Sequence, residues 1–510
     1  MMSNNKWIVA VLLIGLVAVT HARESGIGHQ VLESDGYLAS SREGWSATGE
    51  APEVEVVKVY LALRGKGMEA LEARLAEVSD PRSAEYGRWL GREEALRMTA
   101  AEEGEAALVE AWLREGAAAE VSRRSPNWIE AQAQAGALSR LLGCTFLHWR
   151  HSHEAMAGRR FTRCDPAKRR YTVPAAVAKA VAFVGGVYYL PSTRSSLFAK
   201  LIGRATGSGP DSDGRSPSNE TIMITPAALR SLYRVQDPAV TAGASASSQA
   251  VHEFEQQYYL PSDLAQFQEA NGLPPQPVAR VLGADKPQAS GEGSLDVQYL
   301  MGMGVNVTSW YVILPGGVDQ KEDPFLEWII LLMLLPDAPY INAISYGDDE
   351  YALGTAYIQR VSQELMTFTA TGRTLFFSSG DYGVNCLNAS SFIAHFPASS
   401  PYVTAVGGTT NYLNDTTREV GISFSGGGFS FIFSQPSYQS QAVQTYLKTY
   451  PQPPQSYYRP ANRGYPDISA VGSTSLVLSF SFFLVCRFPC ITHFFFDFTF
   501  YLAGLQLSNC

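Results

Sequence analysis

The sequence predicts an α/β protein whose main domain is a parallel sheet with helices on both faces, preceded by a smaller α+β domain. Between residues 310 and 378, short apolar strand-like runs alternate with helix-like stretches, the order that produces a parallel sheet covered on both sides. Residues 53–190 also mix both kinds of segment, over roughly the length of one compact domain. A stretch rich in Gly, Ser and Pro, residues 201–220, lies between them and is typical of a flexible linker.

The main domain is predicted from apolar periodicity and from runs of β-branched and aromatic residues. Ser262 is predicted to cap a helix that runs to Ala270. The last predicted strand, TLFFS, continues directly into Asp381 and its neighbours. Ligands bind at the carboxyl ends of strands in such sheets, so Asp381 is placed where catalysis is expected. The predicted strands are 310–314, 341–346 and 374–378, and the predicted helices are 324–335 and 357–370.

The smaller domain is predicted from the same two patterns. The run EVEVVKVYLALR is rich in β-branched residues, and MEALEARLAEV has helical spacing of Leu and Ala. The predicted strands are 53–64 and 180–190, and the predicted helices are 68–78 and 93–115.

Composition and the N-terminus limit the class of protein. The chain has 510 residues, enough for two or three domains, and a net charge of −9, which argues against a nucleic-acid partner. Lys6 precedes the apolar run WIVAVLLIGLVAV, which ends in small residues near Ala22. This pattern predicts a secretory signal peptide over residues 1–22 rather than a stable membrane span.

Six cysteines fit the oxidising compartment that a signal peptide implies. Cys144 and Cys164 are predicted to form a local disulfide. Four Asn-x-Ser/Thr triplets are compatible with glycosylation; they begin at Asn219, Asn306, Asn388 and Asn414.

Glu292 and Asp296 form an unusual pair in the segment SGEGSLDVQYLMGMG. Residues four apart on a helix lie on one face, so two carboxylates there repel when both are charged. No Lys or Arg in the segment offsets the repulsion. Two interpretations follow: a solvated acidic edge of a helix, or a functional pair of acids.

Ordered motifs decide between these interpretations. The segments SLDVQYLM, SYGDDE, AYIQRVSQELM, SSGDYG, FPASSPYVTAVGGT, SGGGFS and YPDISA occur in this order between about residues 221 and 470. They resemble the sedolisin family of serine-carboxyl peptidases, nearest to its lysosomal tripeptidyl-peptidase branch. The segments VSDPRSAEYGRWL and AVAFVGGVYYLP resemble that family's activation propeptide.

The resemblance implies a fold, an activity and a set of site residues. The fold is a subtilisin-like parallel sheet, and the activity is proteolysis by acyl transfer, in a zymogen that removes tripeptides from peptide N-termini. By matching motif, Glu292 is the general base, Asp296 orients it, and Asp381 is the oxyanion-hole acid. A Glu base with a reference pKa of about 4.3 works in acid, where imidazole is already protonated.

The resemblance also implies an organisation and partners. The partners are peptide or protein substrates and the chain's own propeptide, in a lysosomal, vacuolar or extracellular acidic compartment. The predicted parts are the signal peptide 1–22, the propeptide 23–200, the linker 201–220, an incomplete peptidase domain 221–472 and a Phe-rich aberrant tail 473–510.

The sequence departs from the family pattern after residue 470. The family's nucleophile lies in a Gly-Thr-Ser-Ala-Ser turn, whereas this chain reads Gly-Ser-Thr-Ser at 472–475 with different spacing, so no nucleophile is assigned. Residues 476–510 resemble nothing in the family. They are interpreted either as a membrane-anchoring tail or as translated intron or gene-model error, and the second is favoured because Arg487, Pro489 and Asp497 interrupt the apolar run.

These departures have two consequences. The main domain is expected to be C-terminally truncated, and the calcium ion expected from the family has no matching C-terminal site in this chain. The alternative function is therefore a catalytically inactive product or a peptide-binding decoy that lacks the serine nucleophile.

Overall fold

The computed structural model describes most of the chain between residues 29 and 486. The described residues are 29–31, 44–152, 160–165, 167, 170–190, 224–235, 247–254, 257–314, 324–384, 386–387, 391–412, 415–422, 424–450, 452–472, 475–479 and 482–486. The predicted signal peptide, the linker 201–220 and most of the predicted Phe-rich tail lie outside them.

The chain divides into two compact units, and the first contains the described residues up to 190. Its strands are β1 (His29–Val31), β2 (Trp45–Glu50), β3 (Val56–Leu63), β4 (Glu120–Ser125), β5 (Trp128–Gln134), β6 (Phe146–His151), β7 (Phe161–Cys164), β8 (Thr172–Pro174) and β9 (Val181–Gly185). Its helices are α1 (Met68–Ser79), α2 (Arg92–Thr99), α3 (Glu103–Ala117), α4 (Ala135–Leu142) and α5 (Ala175–Ala180).

The core of the first unit lies on a four-stranded sheet in the order β4-β5-β3-β9, with antiparallel neighbours. Strand β3, VVKVYLAL, lies between two other strands, and its β-branched and apolar side chains are buried from Val57 onward. Leu61 and Ile129 of the sheet pack in one apolar cluster with Val109 and Leu113 of α3. Complete burial of each such side chain contributes about 2 kcal/mol to folding.

The predicted helix 93–115 is wrong as a single element. It is two helices, α2 and α3, because the chain is extended at Ala100. The Ala101 N–H is satisfied outside any helix, since it donates to Asn127 Oδ1 at 2.8 Å. This long-range hydrogen bond outweighs the local helix preference of an Ala-rich stretch.

The predicted strand 180–190 is wrong at both ends. Helix α5 continues to Ala180, and β9 ends at Gly185. The next residue, Gly186, has φ +79°, a left-handed conformation that ends the strand and favours glycine.

The cysteine prediction is confirmed. A disulfide joins Cys144, just before β6, to Cys164 at the end of β7. Both cysteines are buried, so the bond ties two neighbouring strands inside the first unit.

The remaining elements follow residue 223. The strands are β10 (Ser248–Glu253), β11 (Arg280–Leu282), β12 (Thr308–Ile313), β13 (Ile341–Ile344), β14 (Asp348–Asp349), β15 (Thr374–Ser378), β16 (Cys386–Leu387), β17 (Ser391–Phe392), β18 (His395–Phe396), β19 (Thr404–Tyr412), β20 (Asp415–Gly421), β21 (Gly428–Ser434), β22 (Asn462–Tyr465), β23 (Ile468–Val471), β24 (Ser475–Ser479) and β25 (Phe482–Cys486). The helices are α6 (Pro226–Leu232), α7 (Pro261–Ala270), α8 (Gly291–Met303), α9 (Pro324–Leu334), α10 (Glu350–Leu353), α11 (Thr355–Thr369) and α12 (Ser440–Thr449).

An eight-stranded sheet organises the second unit. Its order is β11-β12-β10-β13-β15-β19-β20, with β23 also paired to β19. Every pairing is parallel except that of β19 with β20. The predicted α/β class with a parallel sheet is confirmed, and β10, β13 and β15 lie side by side near its middle.

Helix α9 belongs to the first unit, although its sequence lies between strands β12 and β13. Its apolar residues are buried, and within that unit its Glu327 lies 3.4 Å from Lys58 Nζ and accepts a hydrogen bond from Tyr60. Arg92 Nη1 donates to the carbonyl of Met333 at 3.0 Å. The unit that holds the predicted propeptide therefore also holds one helix from the predicted peptidase range.

The predicted cap at Ser262 is wrong. Helix α7 begins at Pro261, with Leu260 at the preceding position. Proline fits the first position of a helix because its missing N–H has no partner there in any case. The Ser262 hydroxyl instead lies 3.3 Å from Asp263 Oδ1.

Two strands lie in the region predicted as an aberrant tail. Strands β24 and β25 pair antiparallel, from Ser475 opposite Cys486 to Ser479 opposite Phe482. The part of the tail that the structure describes is therefore a pair of antiparallel strands.

Candidate active site

The carboxyl ends of three neighbouring strands bring acidic and hydroxyl side chains to one edge of the parallel sheet. Strand β10 ends at Glu253, β13 is followed by Ser345, and β15 is followed by Ser379, Gly380 and Asp381. These strands are parallel neighbours in the order β10-β13-β15. The edge is where ligands bind in open α/β sheets.

The first turn of α8 carries Glu292 and is fixed by its neighbour Tyr258. Ser290, which precedes the helix, donates from its N–H and its hydroxyl to the Tyr258 carbonyl at 2.8 Å each. The Tyr258 N–H donates to the Ser290 hydroxyl, also at 2.8 Å. Three hydrogen bonds to one residue thus fix the helix start, and Glu292 is partly buried there.

Tyr311 of β12 approaches α8 at Gly293, between the two predicted acids. A Cβ at Gly293 would lie 2.2 Å from the Tyr311 hydroxyl, so only glycine permits this approach. Burial raises the pKa of Tyr311, and the charges of Glu253, Asp296 and Glu292 raise it further. Tyr311 therefore stays a neutral phenol next to the acids.

Asp296 lies one turn further along α8 and is partly buried. The Ser345 hydroxyl donates to Asp296 Oδ2 at 2.5 Å, which links the helix to the end of β13. Burial raises the pKa of Asp296 to about 6; the Ser345 hydrogen bond opposes this and the charge of Asp381 reinforces it. Asp296 can therefore hold a proton in mildly acidic solution.

Asp381 follows β15 in a loop built on glycine. Gly380 has φ +101°, and its carbonyl accepts a 2.6 Å hydrogen bond from the N–H of Gly426 in the SGGG segment. A Cβ at Gly426 would lie 1.9 Å from the Ser379 carbonyl oxygen, so the two glycine-containing loops pack backbone to backbone. The Asp381 residue keeps contact with solvent, yet desolvation by the surrounding protein raises its pKa, against the opposing charge of His395.

Glu253 is a fourth acid that the sequence analysis missed. It is 2% exposed, and its Oε1 has no hydrogen-bond partner in the described part of the chain. Burial raises the pKa of Glu253 well above its usual range, and the charges of Asp296 and Glu292 raise it further. A carboxyl at the end of the short strand segment SQAVHE was the signal that could have found it.

The structure thus places the predicted acids in one electrostatically connected group. Asp296 interacts with Asp381, and Glu253 interacts with both Glu292 and Asp296. In the described residues, Glu253, Asp296 and Asp381 form no salt bridge with a Lys or Arg. Glu292 and Asp296 are partly buried and lie near other acids, so the interpretation as a solvated helix edge does not fit.

Comparisons with known proteins identify the family. Residues 43–190 match the Pro-kumamolisin activation domain. Tripeptidyl-peptidase 1 of Pan troglodytes is 37% identical over 447 residues, which cover 86% of this chain and 76% of that protein. Tripeptidyl-peptidase 1 of Homo sapiens is 37% identical over 452 residues, with the same two coverages. The chain belongs to the sedolisin family.

A solved sedolisin can also be superposed on the chain. The Pseudomonas sedolisin, a serine-carboxyl proteinase complexed with pseudo-iodotyrostatin, has 23% sequence identity and a TM-score of 0.39. The match covers 51% of this chain and 74% of the Pseudomonas protein. By its identity to tripeptidyl-peptidase 1 and its match to the activation domain, the chain is a sedolisin-type peptidase homologue with an activation propeptide.

Two features expected of sedolisins, the nucleophile and the calcium ion, are not assigned to residues. Of the two serines in the Gly-Ser-Thr-Ser string at 472–475, Ser475 is the first residue of β24 and Ser473 lies outside the described residues. The described residues contain no group of three or more His, Cys, Asp or Glu side chains that could hold a metal ion. The calcium ion expected from the family stays a prediction, and no step below uses one.

Among the residues that the structure describes, no helix combines the length and the apolar character needed to cross a bilayer.

Proposed function

We propose that this protein is an acid-active serine-carboxyl peptidase, made as a zymogen, that removes tripeptides from the N-termini of peptides. The observation that carries the proposal is the cluster of acids at one edge of the parallel sheet, in which the pKa of Asp296 is raised to about 6 and that of Asp381 is also raised. Such a group holds protons in mild acid, as acyl transfer without a histidine base requires.

Glu292 is the general base of the proposed mechanism. It takes the proton of the hydroxyl of a nucleophilic serine, to which no residue of this chain is assigned, as that oxygen attacks the scissile carbonyl, and returns the proton to the leaving amine. Asp296 shares a proton with Glu292, so that one carboxyl is ionised while the other donates a hydrogen bond. Ser345 keeps Asp296 in place through its 2.5 Å hydrogen bond.

Asp381 stabilises the oxyanion of the tetrahedral intermediate. A carboxyl can donate to that oxygen only while it is protonated, and desolvation raises its pKa in the required direction. The packing of Gly426 on the Ser379–Gly380 backbone fixes the loop that carries Asp381. Burial raises the pKa of Glu253, so this acid stays protonated and adds no negative charge next to Glu292 and Asp296.

The direct test is hydrolysis of a tripeptide anilide with a free amino terminus by the full chain after exposure to acid. Turnover is expected near pH 4 to 5 and falls as the pH rises, because Asp381 and then Asp296, whose pKa is about 6, lose the protons that the mechanism needs. Glu292→Gln is expected to abolish turnover. The matched control is Glu269→Gln, which removes an exposed carboxylate from the neighbouring helix α7 and leaves turnover unchanged.

The N-acetylated form of the same reporter tests the exopeptidase mode. A tripeptidyl peptidase recognises the free amino terminus, so acetylation is expected to abolish cleavage. Equal cleavage of both reporters would contradict that mode and leave the sedolisin chemistry intact.

A peptide-binding protein without catalysis is the second candidate. It is favoured by one observation: no Gly-Thr-Ser-Ala-Ser turn follows the Tyr-Pro-Asp segment in this sequence. A folded chain that binds the tripeptide anilide in a calorimeter at pH 4.5, and releases no aniline from it over a day, would support this candidate and contradict the first.

The proposed location is the secretory pathway, with activity in an acidic compartment. The sequence of the N-terminus and the homology to tripeptidyl-peptidase 1 support it. Passage through that pathway would be contradicted if the protein, expressed with its own N-terminus in cultured cells, kept residues 1–22 and carried no glycan.

A further inference from the structure

His395 lies in strand β18, held from both sides close to the loop of Asp381. Strand β18 pairs antiparallel with β14, so that His395 is opposite Asp349. The backbone N–H of His395 donates to the Tyr465 hydroxyl at 2.8 Å. These contacts fix the backbone from which the imidazole projects.

The imidazole of His395 packs between two glycines, one of which directly precedes Asp381. A Cβ at Gly380 would lie 3.4 Å from His395 Nδ1, and a Cβ at Gly347 would lie 3.4 Å from the same atom. The ring thus lies beside the glycine that precedes Asp381.

The surroundings of the ring are acidic. His395 Nε2 lies 3.0 Å from Asp349 Oδ1, and Asp348 and Asp349 are both 0% exposed. Burial alone would lower the pKa of His395, but its contact with Asp349 and the charges of Asp349, Asp348 and Asp381 outweigh burial and raise it. His395 is therefore an imidazolium at the acidic pH of the proposed reaction.

The titratable groups that face His395 come from three elements. They are Asp348 and Asp349 of β14, Asp381 of the loop after β15, and the Tyr465 hydroxyl of β22. No Lys or Arg interacts with His395 in the described residues. The ring is the positive charge that Asp381 meets, and it opposes the effect of burial on that acid.

We infer that His395 is a positioning residue that acts through Asp381. Held as an imidazolium by Asp349 behind the Gly380–Asp381 backbone, it favours the ionised form of Asp381. It thereby sets how acidic the solution must be before Asp381 can donate a hydrogen bond to an oxyanion. The consequence for catalysis rests on the proposed function, but the coupling between His395 and Asp381 does not.

The coupling can be measured from either partner, because the effect of one charge on the other is reciprocal. In protein labelled with ¹³C at histidine Cε1, eight signals are expected, and His395→Gln identifies the one that belongs to residue 395. Asp381→Asn is expected to lower the titration midpoint of His395 by about one unit, the effect of a nearby charge partly screened by solvent. The control Asp337→Asn, which removes a carboxylate paired with Arg280, leaves that midpoint unchanged.

The reverse measurement uses protein labelled with ¹³C at the aspartate carboxyl carbons. His395→Gln is expected to raise the midpoint of Asp381 by the same one unit or so. Asp349→Asn acts in the same direction while keeping the imidazole, because it removes the anion that holds the proton on the ring. A role of His395 in packing alone would not give this agreement between two different substitutions.

The hydrolysis assay then separates the inference from the proposed function. If the chain hydrolyses the reporter, His395→Gln and Asp349→Asn shift the upper pH limit of kcat upward by about one unit, with KM little changed. Coupled titrations without any hydrolysis would support the inference and contradict the proposed function. Unchanged midpoints of His395 in Asp381→Asn, with or without hydrolysis, would overturn the inference, and this measurement keeps His395 itself in place.

Discussion

Two sets of carboxylates, one in each unit of the molecule, are used in opposite ways. In the first unit Glu55 and Glu110 are paired: Glu55 lies 2.7 Å from His148 Nε2 and 3.9 Å from Arg160, and Glu110 lies 2.7 Å from Arg123. In the second unit, Glu253 and Asp296 lie among other acids. Paired acids are structural anions, whereas clustered acids bind protons.

The two arrangements have opposite consequences for stability against pH. Burial would raise the pKa of Glu55, but hydrogen bonds from His148 and Thr162 and the nearby charges lower it below 4.5, so the stability it contributes is present above pH 4.5 and is lost as the pH falls through its folded pKa. Burial raises the pKa of Asp296 from 3.8 to about 6, so the stability it contributes is present below pH 3.8 and is lost as the pH rises through 6. Acid therefore weakens the contacts of Glu55 in the predicted propeptide, whereas it stabilises the protonated acid cluster around Asp296.

The largest expected difference between the regions is in catalysis. Asp296→Asn is expected to lower kcat about 10²- to 10⁴-fold at pH 4.5, because the amide cannot share a proton with Glu292. Glu110→Gln, which breaks a pair with Arg123 in the first unit, leaves kcat within about twofold. Equal losses in the two variants would mean that the contrast does not concern proton transfer.

The next effect is on the stability of the second unit. Asp296→Asn keeps the oxygen that accepts from Ser345 but carries no charge at any pH. Its free energy of unfolding, relative to that of the native chain, is expected to rise by up to about 3 kcal/mol as the pH is raised from 3.5 to about 7.5. This change corresponds to about two pKa units. Hydrogen exchange of the α8 backbone at several pH values measures this difference, and a difference independent of pH would contradict the account.

A smaller effect of opposite sign is expected in the first unit. Glu55→Gln is expected to destabilise that unit by about 1 kcal/mol at pH 7, because His148 and Arg160 lose their anion. The loss should shrink as the pH falls below 4.5, where the native Glu55 also becomes neutral. Hydrogen exchange in strands β3 and β6 measures it, and a loss that grows in acid would have the wrong sign.

The smallest effect concerns helix α9. Lys58→Met removes the cation that lies 3.4 Å from Glu327, while the Tyr60 hydroxyl remains. A partly exposed pair of this kind contributes about 0.5 kcal/mol and is weakened by salt. Exchange of the α9 amides at low and high ionic strength checks this, with Arg280→Met as the matched control, since its pair with Asp337 is more exposed.

Local pattern predicted the elements whose residues agree with their environment. Strand Thr374–Ser378 has the predicted bounds, and the helix that carries Glu292 and Asp296 forms as its spacing indicates. Prediction was wrong where a distant partner decides the local conformation. Asn127 accepts a hydrogen bond from the Ala101 N–H and helps to separate α2 from α3. No feature of the sequence of residues 93–115 predicts that contact.

The candidate site was predicted in part for the same reason. Motifs that contain Glu292, Asp296 and Asp381 stand close enough in sequence to resemble a known family. Glu253 and His395 reach the site from separate strands, β10 and β18, and their importance arises only where those strands meet the loops after β13 and β15. Single charged residues in apolar or mixed segments carry little information before the sheet order is known.

The most direct test of the acid cluster is the titration of Asp296 itself. In protein labelled with ¹³C at the aspartate carboxyl carbons, the signal that disappears in Asp296→Asn is followed from pH 3 to pH 8. The expected midpoint is about 6, with a shift when Asp381 is replaced by Asn. A midpoint near the ordinary value of 3.8, insensitive to Asp381, would contradict the account.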